Sequence, residues 1–337
     1  MKMTATLQLP SPYLLFLGDT TEPSFAKTAF GLRDWVPERC VGEWGCEGAT
    51  VTTGLRWLTP REAYDKGARG LVIGVANVGG VIGESWVPLL VEALQSGLDL
   101  VSGLHAKLRD LPQLRETAVR CGRKLIDVRV PPPSIPIGTG RKRTGKRLLT
   151  VGTDCALGKK YTALALARAF AERGLPVDFR ATGQTGILIA GSGVSVDAVV
   201  SDFISGATEI LAPANSPDHW DIIEGQGSLF HASYAGVSLG LLHGSQPDAL
   251  VMCHEPTRTH MRGLPHYKLP SLQHCIDTNI AMARLTNPEA RCVGISVNTS
   301  ALDASAAESF LRQTEDAFGM PCVDPVRGSV APIVDRL

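Results

Sequence analysis

The sequence predicts an α/β protein built from two doubly wound parallel sheets, one in each half of the chain. Three observations carry this prediction. Short apolar runs ending in Gly, Asp or Asn alternate with helix-forming stretches over residues 13–128, and the alternation resumes at residue 148. Between the halves stand Pro131-Pro132-Pro133 and the basic run GTGRKRTGKR, which cannot join the interior of a sheet or helix. At 337 residues, the chain is also longer than one domain of ordinary size. The expected organisation is an N-terminal domain over 1–133, a flexible linker over 134–146 and a C-terminal domain over 147–337.

In the N-terminal half, residues 13–17 form a strand ending at Gly18-Asp19-Thr20-Thr21. A helix over 24–35, a strand over 39–43 and a helix over 60–67 with Pro60 in its first turn follow. GLVIGV at 70–75 is a buried strand that runs into Ala76-Asn77-Val78-Gly79-Gly80. Residues 86–95 form a helix stopped by Gly97, 98–102 a strand, 111–121 a helix closed by Gly122, and 124–128 the last strand. Ligands of such sheets bind beyond the strands' C-terminal ends, here residues 19–21, 77–80 and 103–105. No G-x-G-x-x-G follows the first strand, so a dinucleotide is not indicated.

The C-terminal half opens on LLTV at 148–151, a buried strand, and from Lys159 onward Leu164, Ala165 and Ala167 predict a helix. Between them lie Gly152, Thr153, Asp154, Cys155, Ala156, Leu157, Gly158, Lys159 and Lys160. Such a loop turns backbone N–H groups onto a phosphate, the helix adds the positive end of its dipole, and Lys159 reaches over the anion as a point charge. Compared with G-x-x-x-x-G-K-[ST], one extra residue separates the glycines, and Lys160 stands where a hydroxyl would bind magnesium. Thr162 falls on another side of the helix and is no simple replacement. The spacing resembles the loop of dethiobiotin synthetases, where GTD also precedes the glycine-lysine pair. Cys155 is either a thiol whose pKa the loop amides lower or a small packing residue.

Residues 177–181 form the next strand, and Thr182-Gly183-Gln184-Thr185-Gly186 is a loop that either closes over a ligand or simply turns. Residues 195–211 are expected to be a helix. The strand over 220–223 then ends in Glu224-Gly225-Gln226-Gly227. A carboxylate there would face the phosphate loop and hold magnesium directly or through water. His231 and His243 lie near enough in sequence to serve as a base. The strand over 249–253 leads into His254, Arg258 and Arg262, cations suited to an anionic ligand. A strand over 292–298 brings Asn298-Thr299-Ser300 to the same edge, where they could meet a base or a pantetheine-like group.

Charge and cysteine usage narrow the function. With 33 basic and 33 acidic residues the formal net charge is zero, which argues against a general nucleic-acid binder. The eight cysteines form no C-x-x-C pair and no zinc spacing. With no signal peptide and no uncharged apolar run long enough to span a bilayer, a cytoplasmic protein with reduced thiols is expected, with a small-molecule substrate and a homo-oligomeric state.

Four motifs in order, GTDCALGKKYTAL, ATGQTGILIAGSGVSVDAVVSDF, EGQGSLFHASYAGVSLGLLHG and CHEPTRTHMRG, together with LVIGVANVGG and SGLDLVSGLHAKL, resemble the DgcN family across almost the whole chain. The resemblance implies a Rossmann-like N-terminal domain, a P-loop NTPase-like C-terminal domain, and acetyl-CoA-dependent N-acetylation of D-glutamate or a related D-amino acid. It carries Gly152 to Lys159 over as the phosphate site and Glu224 to Gly227 as the second element. Thr257 stands where Gly is expected in the family's strand-end motif. Lys159, Glu224 and His231 are the expected catalytic groups; His254, Arg258 and Arg262 would meet the acceptor's carboxylates. Gly152, Thr153, Asp154, Cys155, Gly158, Lys160, Thr162, Gln184, Gly225, Gln226 and Gly227 would surround the phosphates. The runner-up reading is a P-loop ligase or small-molecule kinase using ATP and Mg2+, with Glu224 as the metal ligand, and a third is a non-catalytic nucleotide or CoA sensor.

Overall fold

Residues 9–337 are described in the computed structural model of the chain, and they divide into two units. In the first, strands β1 (Tyr13–Phe16), β2 (Cys40–Trp44), β3 (Gly70–Ile73), β4 (Asp99–Ser102) and β5 (Leu125–Asp127) form a parallel sheet in the order β2-β1-β3-β4-β5. YLLF and GLVI carry no charged side chain because both faces of β1 and β3 are covered, and every residue of the two strands is buried. Helices α1 (Lys27–Trp35), α2 (Pro60–Asp65), α3 (Val87–Gln95) and α4 (Pro112–Cys121) connect the strands. Thr59 and Glu62 close a capping box on α2, behind Pro60. Phe16 packs against Trp44 and Trp86, with both centroid distances at 5.7 Å.

The second unit contains β6 (Lys146–Gly152), α5 (Lys159–Glu172), β7 (Val177–Arg180), α7 (Ile204–Leu211), β8 (Trp220–Ile223), α8 (Ala235–Ser245) and β9 (Ala249–His254). The hairpin β10 (His260–Met261) and β11 (Leu264–Lys268) follows, then α9 (Leu272–Ala283), β12 (Arg291–Val297), α10 (Ala304–Phe318), β13 (Cys322–Val323) and α11 (Ala331–Val334). The main sheet runs β13-β12-β9-β6-β8-β7 with every pairing parallel. β6 is therefore flanked by β8 and β9. Parallel pairing puts the C-terminal ends of β6, β8, β9 and β12 on one edge, and each of the four singled-out loops starts there.

Three expectations are corrected. The basic run is not a free linker: Pro131–Gly183 belongs to the second unit. Glu209 accepts the N–H groups of Thr139 and Gly140 at 2.9 Å, Lys142 pairs with Asp248 at 2.7 Å, and Arg143 donates to the Gly244 carbonyl at 2.8 Å. Arg147 is fully buried. Prolines and charges signal a linker only while their acceptors, some 70 to 100 residues away, are out of view.

Second, Gln184–Ser195 belongs with the N-terminal unit, and 184–190 is not a closing loop but helix α6 (Gln184–Ala190). Ile187, Leu188 and Ile189 are buried, and Thr185 hydrogen-bonds Thr28 at 2.9 Å. Third, the helix expected over 195–211 is broken into two short 3-10 turns before α7. Val194, Val196, Val199 and Val200 are poor helix formers, and Val196 N–H is drawn instead to the Thr182 carbonyl at 3.1 Å. No helix among the described residues is long and apolar enough to cross a membrane.

Candidate active site

α5 begins at Lys159 with Gly158 as its cap at φ 101°, a left-handed conformation suited to glycine. Ala156, at φ 52°, also takes the left-handed region within this loop. Lys159 is 6% exposed and turns back into the loop, donating from Nζ to the Asp154 carbonyl at 2.8 Å. Burial drives its pKa down. A carbonyl is a weaker partner for an ammonium than a carboxylate or a phosphate, so this lysine is stored rather than neutralised.

The glycine element on β8 closes in from the side. A Cβ on Gly225 would lie 1.6 Å from the Thr150 carbonyl and 3.0 Å from Lys159 Cδ, so only glycine fits there. Gly225 N–H donates to Thr150 Oγ1 at 2.9 Å. Thr150 was not singled out from the sequence, although a hydroxyl inside a strand covered on both faces is itself a signal. Glu224 is 4% exposed; its Oε2 accepts the N–H groups of Thr182 and Gly183 at 3.0 and 3.1 Å. Burial raises its pKa, against the opposing pull of Lys160 and those two amides. Gln226 donates to Thr182 Oγ1 at 3.0 Å, and Gly227 is packed against Ser238 and Tyr234.

Thr153 and Asp154 are both fully buried. Thr153 Oγ1 lies 3.1 Å from His254 Nδ1, and His254 stacks on Phe310. Burial and then the Arg258 charge bring the His254 pKa down to about 4, leaving a neutral imidazole at neutral pH. Lys160 lies over the Tyr161 ring, 5.1 Å from its centroid. Thr162 points into the core, bonding Ser296 Oγ at 2.7 Å and the Gly158 carbonyl at 3.2 Å. Its hydroxyl does not replace the one missing at position 160.

Several assigned roles change on this geometry. His231 is not placed as a free base. Its Nδ1 accepts from Ser233 N–H at 3.2 Å, so Nε2 carries the proton and donates to the Arg262 carbonyl at 3.0 Å. Cys155 is not activated, because burial followed by the Asp154 charge raises its pKa. Arg258 is not free for a substrate: it donates to Asp154 Oδ2 at 2.9 Å, the Cys155 carbonyl at 2.6 Å and Glu255 at 2.5 Å. Asp154, Cys155 and His231 lie close enough to suggest a metal site, but hydrogen bonds already occupy Asp154 and His231. Gln184 sits in the N-terminal unit against Gly103. Arg262 is an exposed residue, and its backbone N–H is held by Asp154 at 2.8 Å.

Beside the first turn of α5 lies a mainly apolar pocket of about 170 Å³, lined by Leu157, Gly158, Tyr161, Asn298, Pro325 and Val326 among others. Asp324 also lines it and shapes the loop, accepting N–H groups from Val326 at 2.8 Å and Thr299 at 3.2 Å. Asp324 was not anticipated; the Asp-Pro pair after a short strand marks such a turn.

Family comparison fits both units. A model described as "Domain of unknown function (DUF1611_C) P-loop domain" matches residues 136–334, and one described as "Domain of unknown function (DUF1611_N) Rossmann-like domain" matches 39–131. The chain belongs to the DUF1611 family. A crystal structure of a DUF1611 family protein from Anabaena variabilis is similar at 33% identity and TM-score 0.86, covering 96% of this chain and 98% of that one. A Pseudoalteromonas protein named D-glutamate N-acetyltransferase is 52% identical over 98% of this chain and 100% of its own length. A second protein of that name, from Tritonibacter scottomollicae, is 53% identical over 98% of this chain and 99% of its own. The Rossmann-like and P-loop architecture expected for this DUF1611 member, and its resemblance to D-glutamate N-acetyltransferases, are borne out.

Proposed function

We propose that this chain transfers the acetyl group of acetyl-CoA to the amine of D-glutamate, with residues 152–159 holding CoA phosphates. Likeness to the two relatives of that name supports the N-acetyltransferase part. Support for the donor comes from one observation above the rest. The loop stores a buried Lys159 on a mere carbonyl, while position 160 carries a second cation in place of a magnesium-binding hydroxyl. Such a loop favours a phosphate group that is held rather than split. The pocket at Gly158, Tyr161 and Asn298 has room for a flat ring or a pantetheine arm beside those phosphates.

The acceptor amine, in its neutral form, attacks the thioester carbonyl carbon. As the C–N bond forms and the C–S bond breaks, CoA leaves as the thiolate, and Glu224 takes the proton released by the nitrogen. A carboxylate whose pKa is raised by burial suits that role. Loop amides or Lys159 stabilise the oxyanion. The exposed Arg262 is the cation offered to an acceptor carboxylate, a part that Arg258 cannot play while it is tied to Asp154.

Calorimetry with acetyl-CoA and, separately, with Mg·ATP tests this on the native chain and on Lys159→Ala. The expected result is acetyl-CoA binding that weakens by about ten- to a hundredfold in the variant, the scale of one charge-assisted hydrogen bond. Mg·ATP binding without acetyl-CoA binding would overturn the proposal. It would point to an ATP-dependent ligase or kinase in which Glu224 holds magnesium.

A further inference from the structure

We infer that Arg258 is a positioning residue that locks the phosphate loop to the β10–β11 hairpin, so that cradle and hairpin hold their places together. Its guanidinium is 13% exposed and reaches both sides of the junction. Nη1 donates to Asp154 Oδ2 at 2.9 Å and to the Cys155 carbonyl at 2.6 Å, and Nη2 lies 3.5 Å from the Ala156 carbonyl. Nη2 also pairs with Glu255 at 2.5 Å, three residues before Arg258 on the strand-end segment. The same Asp154 oxygen accepts Arg262 N–H at 2.8 Å, beside the hairpin tip, and His231 holds the Arg262 carbonyl at 3.0 Å.

The consequence for the loop follows from peptide geometry. In a trans peptide C=O and N–H point in opposite directions. Holding the Cys155 and Ala156 carbonyls against Arg258 therefore directs the N–H groups of Ala156 and Leu157 to the other side. Ala156 at φ 52° is the left-handed residue that such an amide-lined concavity requires. Arg258 thus serves the anion site without touching the anion, by fixing which way its amides face. Through Asp154 it also fixes the backbone of Arg262, the exposed cation on the hairpin. Half-buried and bonded on both sides, Arg258 pre-organises the donor and acceptor cradles at once.

Hydrogen exchange on the ligand-free protein tests the lock directly, with Arg258→Ala and, should that variant fold poorly, Arg258→Lys. Segments 153–158 and 258–268 are expected to gain exchange together, by about tenfold or more when one charge-assisted bond is lost. Faster exchange in one segment alone, or in neither, would overturn the inference whatever the substrate proves to be. The kinetic counterpart rests on the proposed acetyl transfer: KM should rise for both acetyl-CoA and D-glutamate, with kcat changing less. A rise confined to one substrate would also refute the lock. If the native chain binds no acetyl-CoA, the donor assignment fails while the exchange result still decides the coupling.

Discussion

Each of the two sheets carries glycine-bearing loops beyond the C-terminal ends of its own strands, yet the loops differ in how their polar groups are used. In the N-terminal unit the groups satisfy one another. Asp19 accepts Trp86 Nε1 at 3.0 Å and Ser85 Oγ at 3.3 Å, and Asn77 exchanges two hydrogen bonds with the Val81 backbone at 2.9 and 3.0 Å. Asp127 takes Leu108 N–H at 2.8 Å and pairs with Arg109 at 3.2 Å. At the loop before α5, by contrast, Lys159 rests on a carbonyl, Glu224 is buried with two amides and Arg262 is exposed. Glycine and strand ends are common to both. A buried cation resting on a carbonyl distinguishes the loop at Lys159 from those of the N-terminal unit.

Substitutions sharpen that contrast. The largest effect is expected for Gly225→Ala, because the new methyl would collide with a main-chain carbonyl and cannot be relieved by a rotamer change. A cost of about 3 kcal/mol or more is expected. It would appear as a fall of roughly 10 °C in Tm. A Tm within about two degrees of the native value would show that β6 and the glycine element leave room for a methyl group at Gly225.

Glu224→Gln comes next. Activity of the native chain is expected to rise with pH as Glu224 ionises, with a midpoint above 4.5, and the variant should lose that limb together with about a hundredfold or more of kcat. Stability has the opposite sign. Between 4.5 and its raised folded value the native chain keeps a proton that the unfolded chain has released, so stability falls as pH rises through that window. Glu224→Gln should flatten this decline in a pH series of unfolding measurements. An unchanged rate–pH profile would remove Glu224 from the proton-transfer role.

The smallest effect on catalysis is expected for Asp19→Ala. Trp86 Nε1 loses its acceptor, at a cost of about 1–3 kcal/mol, while kcat/KM changes by less than about threefold. A large loss of kcat/KM with Tm preserved would make the N-terminal loops part of the chemistry and erase the distinction.

Local pattern alone was enough for much of this molecule. The alternation of apolar runs with helix formers revealed strands β1 to β9 and β12 within a few residues, because period and composition are properties of neighbours. The run from Gly152 to Lys160 likewise announced the strand–loop–helix turn of a P-loop domain, since the strand, the left-handed glycine and the helix start are adjacent in the chain. Long-range partners settled the rest. Arg258 looked like a substrate ligand until Asp154, 104 residues away, claimed it. His231 looked like a base until Arg262 occupied its proton-bearing nitrogen. The basic run read as linker until Glu209 and Asp248 received it, and Gln184–Ser195 read as part of the second domain until its apolar residues were buried in the first unit. A residue's type states which bonds it can make, whereas its use depends on which acceptors folding brings within 3 Å or so, and those lie far away in sequence.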